Sequence, residues 1–244
     1  MSAIYTETLE LRACHCDMCG AWKPSSILEM MQETAGVHSR LFGLGRDVMD
    51  AMNIAWVISR LTVKFDRVPR VNETVTIETY PTNNRHLFFP RTHIFRDSEG
   101  VQIGCANSLW VLMDLTERKL TSSDFVLAHM PDNSDMKMLP GMPATVRPLP
   151  TEPVMGEVVP KFSELDMNRH VNNTKYLDWC TNALGIDIME DRCITAFDVN
   201  YDAEILPGCA IRTELTVEGD RFAFCGFEGE KRHFSVCGVL AARA

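Results

Sequence analysis

Three side chains that can move a proton or hold an oxygen, Asp166, Asn168 and His170, stand within five residues of one another. A carboxylate can act as a base or nucleophile, an imidazole can carry a proton, and an amide can donate to an oxyanion. An apolar face at helical spacing follows them, formed by Tyr176, Leu177, Cys180 and Leu184. With Asn172 or Asn173 as the cap, we expect the three side chains at or just before the amide end of a helix, where negative charge is stabilised. The segment therefore predicts chemistry on a carbonyl group.

The helix that follows this segment has a counterpart earlier in the chain. Pro24 begins a helical pattern whose apolar face is formed by Ile27, Leu28, Met31 and Ala35. Adding about 149 to these positions gives the apolar face of the later helix, and the same offset places Asp17 on Asp166. Downstream, an offset of about 136 aligns residues 61–66 with residues 197–202. One supersecondary unit is therefore used twice.

Each copy continues into runs with the alternation and turn residues of β-strands. They lie at residues 56–66, 73–80, 87–96 and 101–114 in the first copy, and at 194–202, 209–218, 221–228 and 231–241 in the second, with a further run at 4–12. Because a single helix must be wrapped by its sheet to be buried, the pattern predicts an α+β fold, a tandem double hot-dog. Seven of the twelve prolines lie between positions 131 and 160. We therefore expect an N-terminal hot-dog at 1–130, a Pro-rich linker at 131–158 and a C-terminal hot-dog at 159–244.

Composition and charge limit where the protein can reside and what it can bind. The net charge of −9 argues against a nucleic acid or an anionic membrane as the partner. No apolar run approaches the roughly 18 residues of a membrane span, and the first residues resemble neither a signal nor a transit peptide. Nine scattered cysteines are typical of reduced thiols, so we expect a cytoplasmic protein. Residues 14–19, Cys-His-Cys-Asp-Met-Cys, could suggest zinc, but no second ligand pair follows, and we predict no metal and no cofactor.

The pattern Asp-x-Asn-x-His-Val-Asn-Asn-x-x-Tyr at 166–176 resembles the signature of plant and bacterial acyl-acyl carrier protein (acyl-ACP) thioesterases. The likeness extends to residues 56–61, to 108–114 followed by Arg118, and to 199–204, and so covers nearly the whole chain. It implies hydrolysis of the thioester between a fatty acyl chain and the phosphopantetheine of a carrier protein. The catalytic residues that the resemblance implies are Asp166, Asn168, His170 and Glu204.

Two departures from the plant members of that family affect the expected mechanism and location. Ile205 stands where the plant enzymes often have a cysteine, so we expect a carboxylate-assisted attack of water rather than a Cys–His mechanism. The chain shows no transit peptide, which suits a bacterial cytosolic form.

The role of each carboxylate stays open at this stage. Asp166 or Glu204 could activate water or attack directly, but Asp166 could also be a plain helix cap, like its counterpart Asp17. Strict alternation along the strand turns Glu204 away from the helix, unless a bulge re-aims it. Asn168 would orient water or donate to the oxyanion, and His170 would orient a carboxylate or carry a proton.

The first copy lacks this set of residues, because Cys19 and Ala21 occupy the positions that correspond to Asn168 and His170. We expect that copy to supply the pocket for the acyl chain instead. Candidate substrate-binding residues are Met30, Met31, Trp56, Asn172 and Asn173. The alternative is ordinary core packing for the three apolar residues and a capping role for the two asparagines.

The expected partner is an acidic acyl carrier protein, yet this chain is itself acidic, so docking needs a local basic patch. Two groups are candidates: the basic residues of the hairpin at 85–96, and those at 64–70. The rival functions are a thioesterase acting on acyl-coenzyme A, a hot-dog dehydratase acting on 3-hydroxyacyl thioesters, and a non-catalytic acyl-binding protein. The repeat favours a pseudo-dimer within one chain, and a further homodimer is possible.

Overall fold

The computed structural model describes residues 3–243, in two halves that share one order of elements, with an additional strand and helix at the end of the first half. The first half contains β1 (Tyr5–Glu10), α1 (Pro24–Leu41), α2 (Arg46–Ala51), β2 (Ile54–Phe65), β3 (Thr74–Pro81), β4 (Phe89–Arg96), β5 (Gln102–Asp114), β6 (Lys119–Thr121) and α3 (Asp124–His129). The second half contains β7 (Val154–Val158), α4 (Lys175–Leu184), α5 (Ile186–Asp191), β8 (Arg192–Tyr201), β9 (Ile211–Glu218), β10 (Arg221–Glu228) and β11 (Lys231–Ala242). A short 3₁₀ turn precedes each long helix, at Ala13–His15 and Phe162–Glu164.

The strands form one antiparallel 11-stranded sheet in the order β1-β3-β4-β5-β2-β8-β11-β10-β9-β7, with β6 paired to β5. The order reads the same from either end when each strand is replaced by its counterpart in the other half. The halves join where β2 pairs with β8, with Thr62 directly opposite Asp198. These two residues are counterparts under the offset of 136 (62 + 136 = 198). A pseudo-twofold axis therefore passes between them, and the internal repeat is confirmed.

Both long helices bury the faces that their sequence periodicity predicts. Ile27, Leu28, Met31 and Ala35 of α1 are buried, as are Tyr176, Leu177, Cys180 and Leu184 of α4. Most of these side chains belong to one hydrophobic core that also contains residues from strands of both halves. The expected tandem double hot-dog, with each helix wrapped by its half of the sheet, is confirmed.

The two helices also contact each other across the pseudo-twofold axis. The amides of Gln32 on α1 and Asn173 exchange hydrogen bonds, with Gln32 Nε2 2.7 Å from Asn173 Oδ1. Lys175 Nζ at the start of α4 lies 3.1 Å from a carboxylate oxygen of Glu29 on α1. These contacts couple α1 to the start of α4.

The proline-rich segment between the halves lies against the outer face of the sheet. Asn133 Nδ2 donates to the carbonyl of Pro81 over 2.7 Å. The side chain of Asn200 on β8 accepts from the Val146 amide over 2.6 Å and donates to the carbonyl of Ala144 over 3.1 Å. We call residues 133–146 the strap. Polar side chains of the sheet satisfy its backbone groups, so it covers the face that the helices leave open.

β7 (Val154–Val158) lies inside the range predicted as linker and pairs with β9, as β1 pairs with β3. The domain boundaries at residues 130 and 158 remain a prediction. Of the described helices, none has both the length and the hydropathy that crossing a membrane requires.

Gly226 of β10 permits close packing of the aromatic residues behind α4. A Cβ at this position would lie 2.1 Å from Cε1 of Phe234, which is buried and stacks on Tyr176 with 4.3 Å between ring centroids. We expect Gly226→Ala to lower the free energy of unfolding by about 1–3 kcal/mol, because the ring must leave its site. Urea denaturation measures this change.

Gly36 of α1 provides the matched control, because a Cβ there would meet no atom within 4 Å. Gly36→Ala should raise the free energy of unfolding by about 0.5–1 kcal/mol, since alanine restricts the unfolded chain and favours helix. Equal stabilities for the two variants would contradict the packing at Gly226.

Candidate active site

Asp166 organises a tight turn, which we call the Asp166 turn (residues 165–171). Its Oδ1 accepts from the amides of Asn168 over 2.8 Å and of His170 over 3.1 Å, while its own amide donates to the His170 carbonyl. A bridge between Leu165 and Val171 closes the turn. The spacing of two and four residues thus lets one carboxylate fix the positions of the amide and the imidazole.

The first half contains the same structure, the Asp17 turn (residues 16–22). Asp17 Oδ1 accepts from the amides of Cys19 over 2.9 Å and of Ala21 over 3.0 Å. Arg243 donates to the other carboxylate oxygen of Asp17 over 2.7 Å. Because the first half keeps the aspartate without the amide and imidazole, the aspartate has a structural role in both turns.

The cluster precedes the amide end of α4 by a few residues in the chain. α4 begins at Lys175, and the N-cap position falls on Thr174 rather than on Asn172 or Asn173. The side chain of Asn172 accepts from the Thr174 amide and hydroxyl, and so forms a separate turn between the cluster and the helix. The carboxylate of Asp166 binds amides of its own turn.

The chain after β8 turns Glu204 toward this cluster, against the direction that simple alternation predicts. β8 ends at Tyr201, and the amides of Asp202 and Ala203 both donate to the carbonyl of His233. The carbonyl of Ile205 then accepts from the Val171 amide over 2.9 Å, which ties the segment to the Asp166 turn.

The carboxylate of Glu204 contacts the imidazole of His170 in the Asp166 turn. Glu204 Oε2 lies 3.3 Å from His170 Nε2. The side chains of Glu204 and His170 are 38% and 27% exposed, so water can reach both. The structure therefore brings together all four residues that the resemblance implied.

Two arginines of the first half complete the cluster. Arg118, in the turn after β5, forms an ion pair with the second carboxylate oxygen of Glu204. Arg46 on α2 donates to Asn168 Oδ1 over 3.2 Å. Arg118 follows the stretch that resembles the acyl-ACP thioesterases, whereas no sequence pattern pointed to Arg46. The site is thus shared between both halves.

The amide of Asn168 is oriented from both sides. Its oxygen accepts from Arg46, and its nitrogen donates to Asp166 Oδ2 over 3.3 Å. An amide nitrogen carries two hydrogens, so one N–H can donate to another group. Such a preoriented donor is suited to a developing oxyanion.

A buried phenol lies close to the two carboxylates. Tyr176 is 3% exposed. Burial, reinforced by the negative charges of Asp166 and Glu204, raises the pKa of Tyr176, so it is a neutral phenol at physiological pH.

A small and mostly apolar cavity lies between α1 and the sheet of the first half. It is lined by Leu28, Met31, Gln32, Ile58, Leu61, His93, Ser108 and Trp110. Of the predicted substrate-binding residues, Met31 lines it directly, and Asn173 reaches it through the hydrogen bond to Gln32. The lining of the cavity is therefore hydrogen-bonded to the chain between the Asp166 turn and α4.

The other predicted substrate-binding residues lie outside this lining. Met30 packs against the main hydrophobic core. Trp56 belongs to a second cluster near α2 and packs edge-on against Phe89 at 5.0 Å. Trp110 contacts both clusters, so the cavity adjoins the second one. A role in substrate binding remains a prediction for all five residues.

The expected basic patch on the hairpin at 85–96 is wrong in part, because Arg91 and His93 are buried beneath α1. The prediction failed because β4 is covered on both faces, by α1 on one and by the strap on the other. Side chains on either face of this strand are therefore buried. In the group at 64–70, Arg67 pairs with Glu73 and Asp97. Among the described residues, no cluster of three or more His, Cys, Asp or Glu side chains could hold a metal ion.

The burial of His93 should make stability depend on pH. Burial, together with the positive charge of Arg91, lowers the pKa of His93 to about 3. An unfolded histidine takes up a proton below about 6.5, so between these values the unfolded state binds more protons and stability falls as pH falls. From pH 7 to pH 5 we expect His93 to lower the free energy of unfolding by about 2 kcal/mol.

Urea denaturation at both pH values, on the wild type and on His93→Gln, measures this effect. The glutamine variant should lose less stability between pH 7 and pH 5, whatever its stability at pH 7. An identical loss in both proteins would show that His93 titrates normally in the folded state.

Two family models match the chain. The acyl-ACP thioesterase N-terminal domain matches residues 2–125, and the acyl-ACP thioesterase C-terminal domain matches residues 149–230. A chloroplastic palmitoyl-acyl carrier protein thioesterase of Gossypium hirsutum is 28% identical over 214 residues, which cover 79% of this chain and 50% of that protein. An oleoyl-acyl carrier protein thioesterase of Arabidopsis thaliana is 26% identical over 201 residues, with coverages of 73% and 53%. The chain spans about half the length of the curated relatives it matches.

Solved structures show the same fold. An acyl-ACP thioesterase from Bacteroides thetaiotaomicron superposes with a TM-score of 0.89 at 23% identity, covering 99% of this chain and 100% of the other. The 12:0-ACP thioesterase from Umbellularia californica gives a TM-score of 0.87 at 22% identity, with coverages of 100% and 99%. At these identities the likeness establishes the fold.

Proposed function

Because the chain belongs to the acyl-ACP thioesterase family, we propose that it hydrolyses a fatty acyl-ACP to a free fatty acid and the carrier thiol. The observation that carries the proposal is the contact between Glu204 and His170, with the oriented amide of Asn168 on the same turn as His170. A base, a proton carrier and an oxyanion donor are the groups that thioester hydrolysis requires.

In the proposed mechanism, Glu204 takes a proton from a water molecule as that water attacks the thioester carbonyl. The free N–H of Asn168 donates to the oxyanion that forms. Glu204 passes that proton to His170 Nε2, which lies 3.3 Å from Glu204 Oε2. The tetrahedral intermediate collapses by breaking the carbon–sulfur bond, and His170 delivers the same proton to the departing thiolate. Asp166 positions Asn168 and His170, and Arg118 orients the carboxylate of Glu204.

The first half would hold the acyl chain. The cavity under α1 is lined mainly by apolar side chains, among them Met31, and its Gln32 joins Asn173 near the site. Met30 and Trp56 would add apolar surface from the two hydrophobic clusters against which they pack.

The carrier protein would dock at the mouth of the site. The side chains of Arg46 and Arg118 are 55% and 57% exposed there, and both come from the first half. Exposed arginines beside the site offer an acidic carrier protein a local attraction, although the chain as a whole is acidic. A role in fatty acid biosynthesis follows from this substrate, while the cytoplasmic location and a homodimer remain predictions.

The test is a thiol-release assay across acyl lengths on both acyl-ACP and acyl-coenzyme A, with product analysis and with His170→Ala as control. We expect free fatty acid as the product, a higher kcat/KM on the carrier protein, and loss of turnover in the variant. A higher kcat/KM on coenzyme A would favour the acyl-coenzyme A thioesterase. An unsaturated acyl thioester as product would identify a dehydratase, and binding without thiol release would identify an acyl-binding protein.

A further inference from the structure

β11 contains a β-bulge directly beside the segment that carries Glu204. The register between β10 and β11 shifts by one residue and skips His233, which is therefore the extra residue of the bulge. The carbonyl of His233 accepts from the amide of Asp202 over 2.9 Å and from the amide of Ala203 over 3.0 Å. Bulges bend a strand and can re-aim a side chain beside an active site. The backbone of His233 thus holds the chain at the point where β8 ends and the turn to Glu204 begins.

The imidazole of His233 binds Glu204 itself. The residue is buried, and its Nδ1 lies 2.8 Å from the carbonyl oxygen of Glu204. A carbonyl oxygen can only accept, so Nδ1 carries a hydrogen and donates it. At the other end of the ring, Nε2 lies 3.4 Å from a carboxylate oxygen of Glu228. One residue therefore holds the chain before Glu204 through its backbone and at Glu204 through its side chain.

The first half contains the same bulge without the imidazole. The register between β4 and β5 skips Ile103, whose carbonyl accepts from the Asp66 amide over 2.9 Å. Under the offset that relates the strands at the junction of the halves, Asp66 corresponds to Asp202. Val68 corresponds in the same way to Glu204. The bulge thus forms without a histidine, and the imidazole occurs in the half that has the carboxylate.

We propose that His233 is a positioning residue for Glu204, which it aims at His170 by holding the Glu204 carbonyl. This inference rests on the proposed function, in which Glu204 is the base. The carboxylate of Glu204 lies 3.3 Å from His170 Nε2, and a shift of the Glu204 backbone would move it out of this contact. A displacement of about 1 Å can lower a rate by about 100-fold.

The main test compares kcat in His233→Leu and His233→Asn, which have side chains of similar shape. The asparagine amide nitrogen occupies about the place of Nδ1 and can donate to the Glu204 carbonyl, whereas leucine has no donor. Leucine should lower kcat by about 10- to 100-fold with little change in KM, and asparagine should restore most of the loss. Equal kcat values in the two variants would overturn the proposal.

A second comparison shows whether His233 acts through Glu204. In a Glu204→Gln background, His233→Leu should have little further effect on kcat, because no base is left to position. A simple loss of folded enzyme would lower kcat by the same factor in both backgrounds. The same factor in both would therefore contradict a positioning role.

The counterpart bulge and the second contact of the ring supply two controls. Ile103→Val loosens the bulge of the first half, so it should lower the melting temperature and leave kcat near that of the wild type. Glu228→Gln removes the charge beside Nε2 and should also keep kcat, since the donor to Glu204 is on Nδ1. A loss of kcat in Ile103→Val as large as in His233→Leu would show that the imidazole has no specific role.

His233→Gln replaces His233→Leu if the leucine variant does not fold. Its amide lies one bond further from the backbone, toward Glu228, so its kcat should fall well below that of His233→Asn. Equal turnover by the two amide variants would reject the hydrogen bond to Glu204 as the cause. If the proposed function fails, the wild type releases no thiol from any acyl thioester; if only the positioning role fails, the wild type and all the His233 variants that fold release it at similar rates.

Discussion

Replacement of Glu204 by glutamine is expected to lower kcat for acyl-ACP hydrolysis by about 100- to 10,000-fold, the usual contribution of a general base. The physical reason is that the amide cannot accept the proton of the attacking water. The side chain keeps its size and can still contact Arg118 and His170, so substrate binding should change little. Thiol release under saturating substrate measures the effect, and the melting temperature shows whether the variant is folded.

Glu214→Gln is a matched control, because Glu214 is also a partly exposed carboxylate of the second half paired with an arginine, Arg212. Its kcat should stay near that of the wild type. If Glu204→Gln kept more than a tenth of the wild-type kcat, the base would have to be His170 or Asp166, and the oxygens of Asp166 already accept three hydrogen bonds.

Loss of the Asn168 side chain should reduce kcat by about 100- to 1,000-fold, equivalent to about 3–4 kcal/mol of transition-state stabilisation. The loss should be observed in kcat, because the oxyanion forms only as water attacks. Asn168→Ala also removes the acceptor of Arg46. Arg46→Ala should therefore be measured beside it, to separate the lost donor from the freed arginine.

The chain contains its own control for this variant in the Asp17 turn, where Cys19 occupies the place of Asn168. Cys19→Ala alters the same position of the same turn and should leave kcat unchanged. A wild-type kcat for Asn168→Ala would remove Asn168 from the reaction and leave it as a partner of Arg46 and Asp166.

Periodicity predicted the elements that have a buried face. The faces of α1 and α4 and the strands β2–β5 and β8–β11 were predicted from the sequence, because each alternates or repeats over enough residues to be seen. The short helices α2, α3 and α5 span only six residues each and were missed. β7 was missed because all its residues except Val158 are exposed and show no alternation, within a region rich in proline.

The residues of the candidate site likewise fall into those that the sequence reveals and those that only the fold reveals. Asp166, Asn168 and His170 could be found from sequence because their hydrogen bonds join residues two and four positions apart. Arg46 and Arg118 meet their partners across 122 and 86 positions, a distance at which only the fold brings them together. The sequence places His93 on an exposed face of β4, because nothing in it shows that α1 covers one face of this strand and the strap covers the other.

The ion pair between Arg243 and Asp17 bears on how many substrates one chain can process at a time. The pseudo-twofold axis relates the Asp166 turn to the Asp17 turn, in which an arginine side chain holds the aspartate and neither the amide nor the imidazole is present. We therefore expect one working site per chain, although the two halves are similar. Equilibrium binding of a non-hydrolysable acyl thioester analogue should give one site per chain, and two sites would mean that the first half also binds substrate.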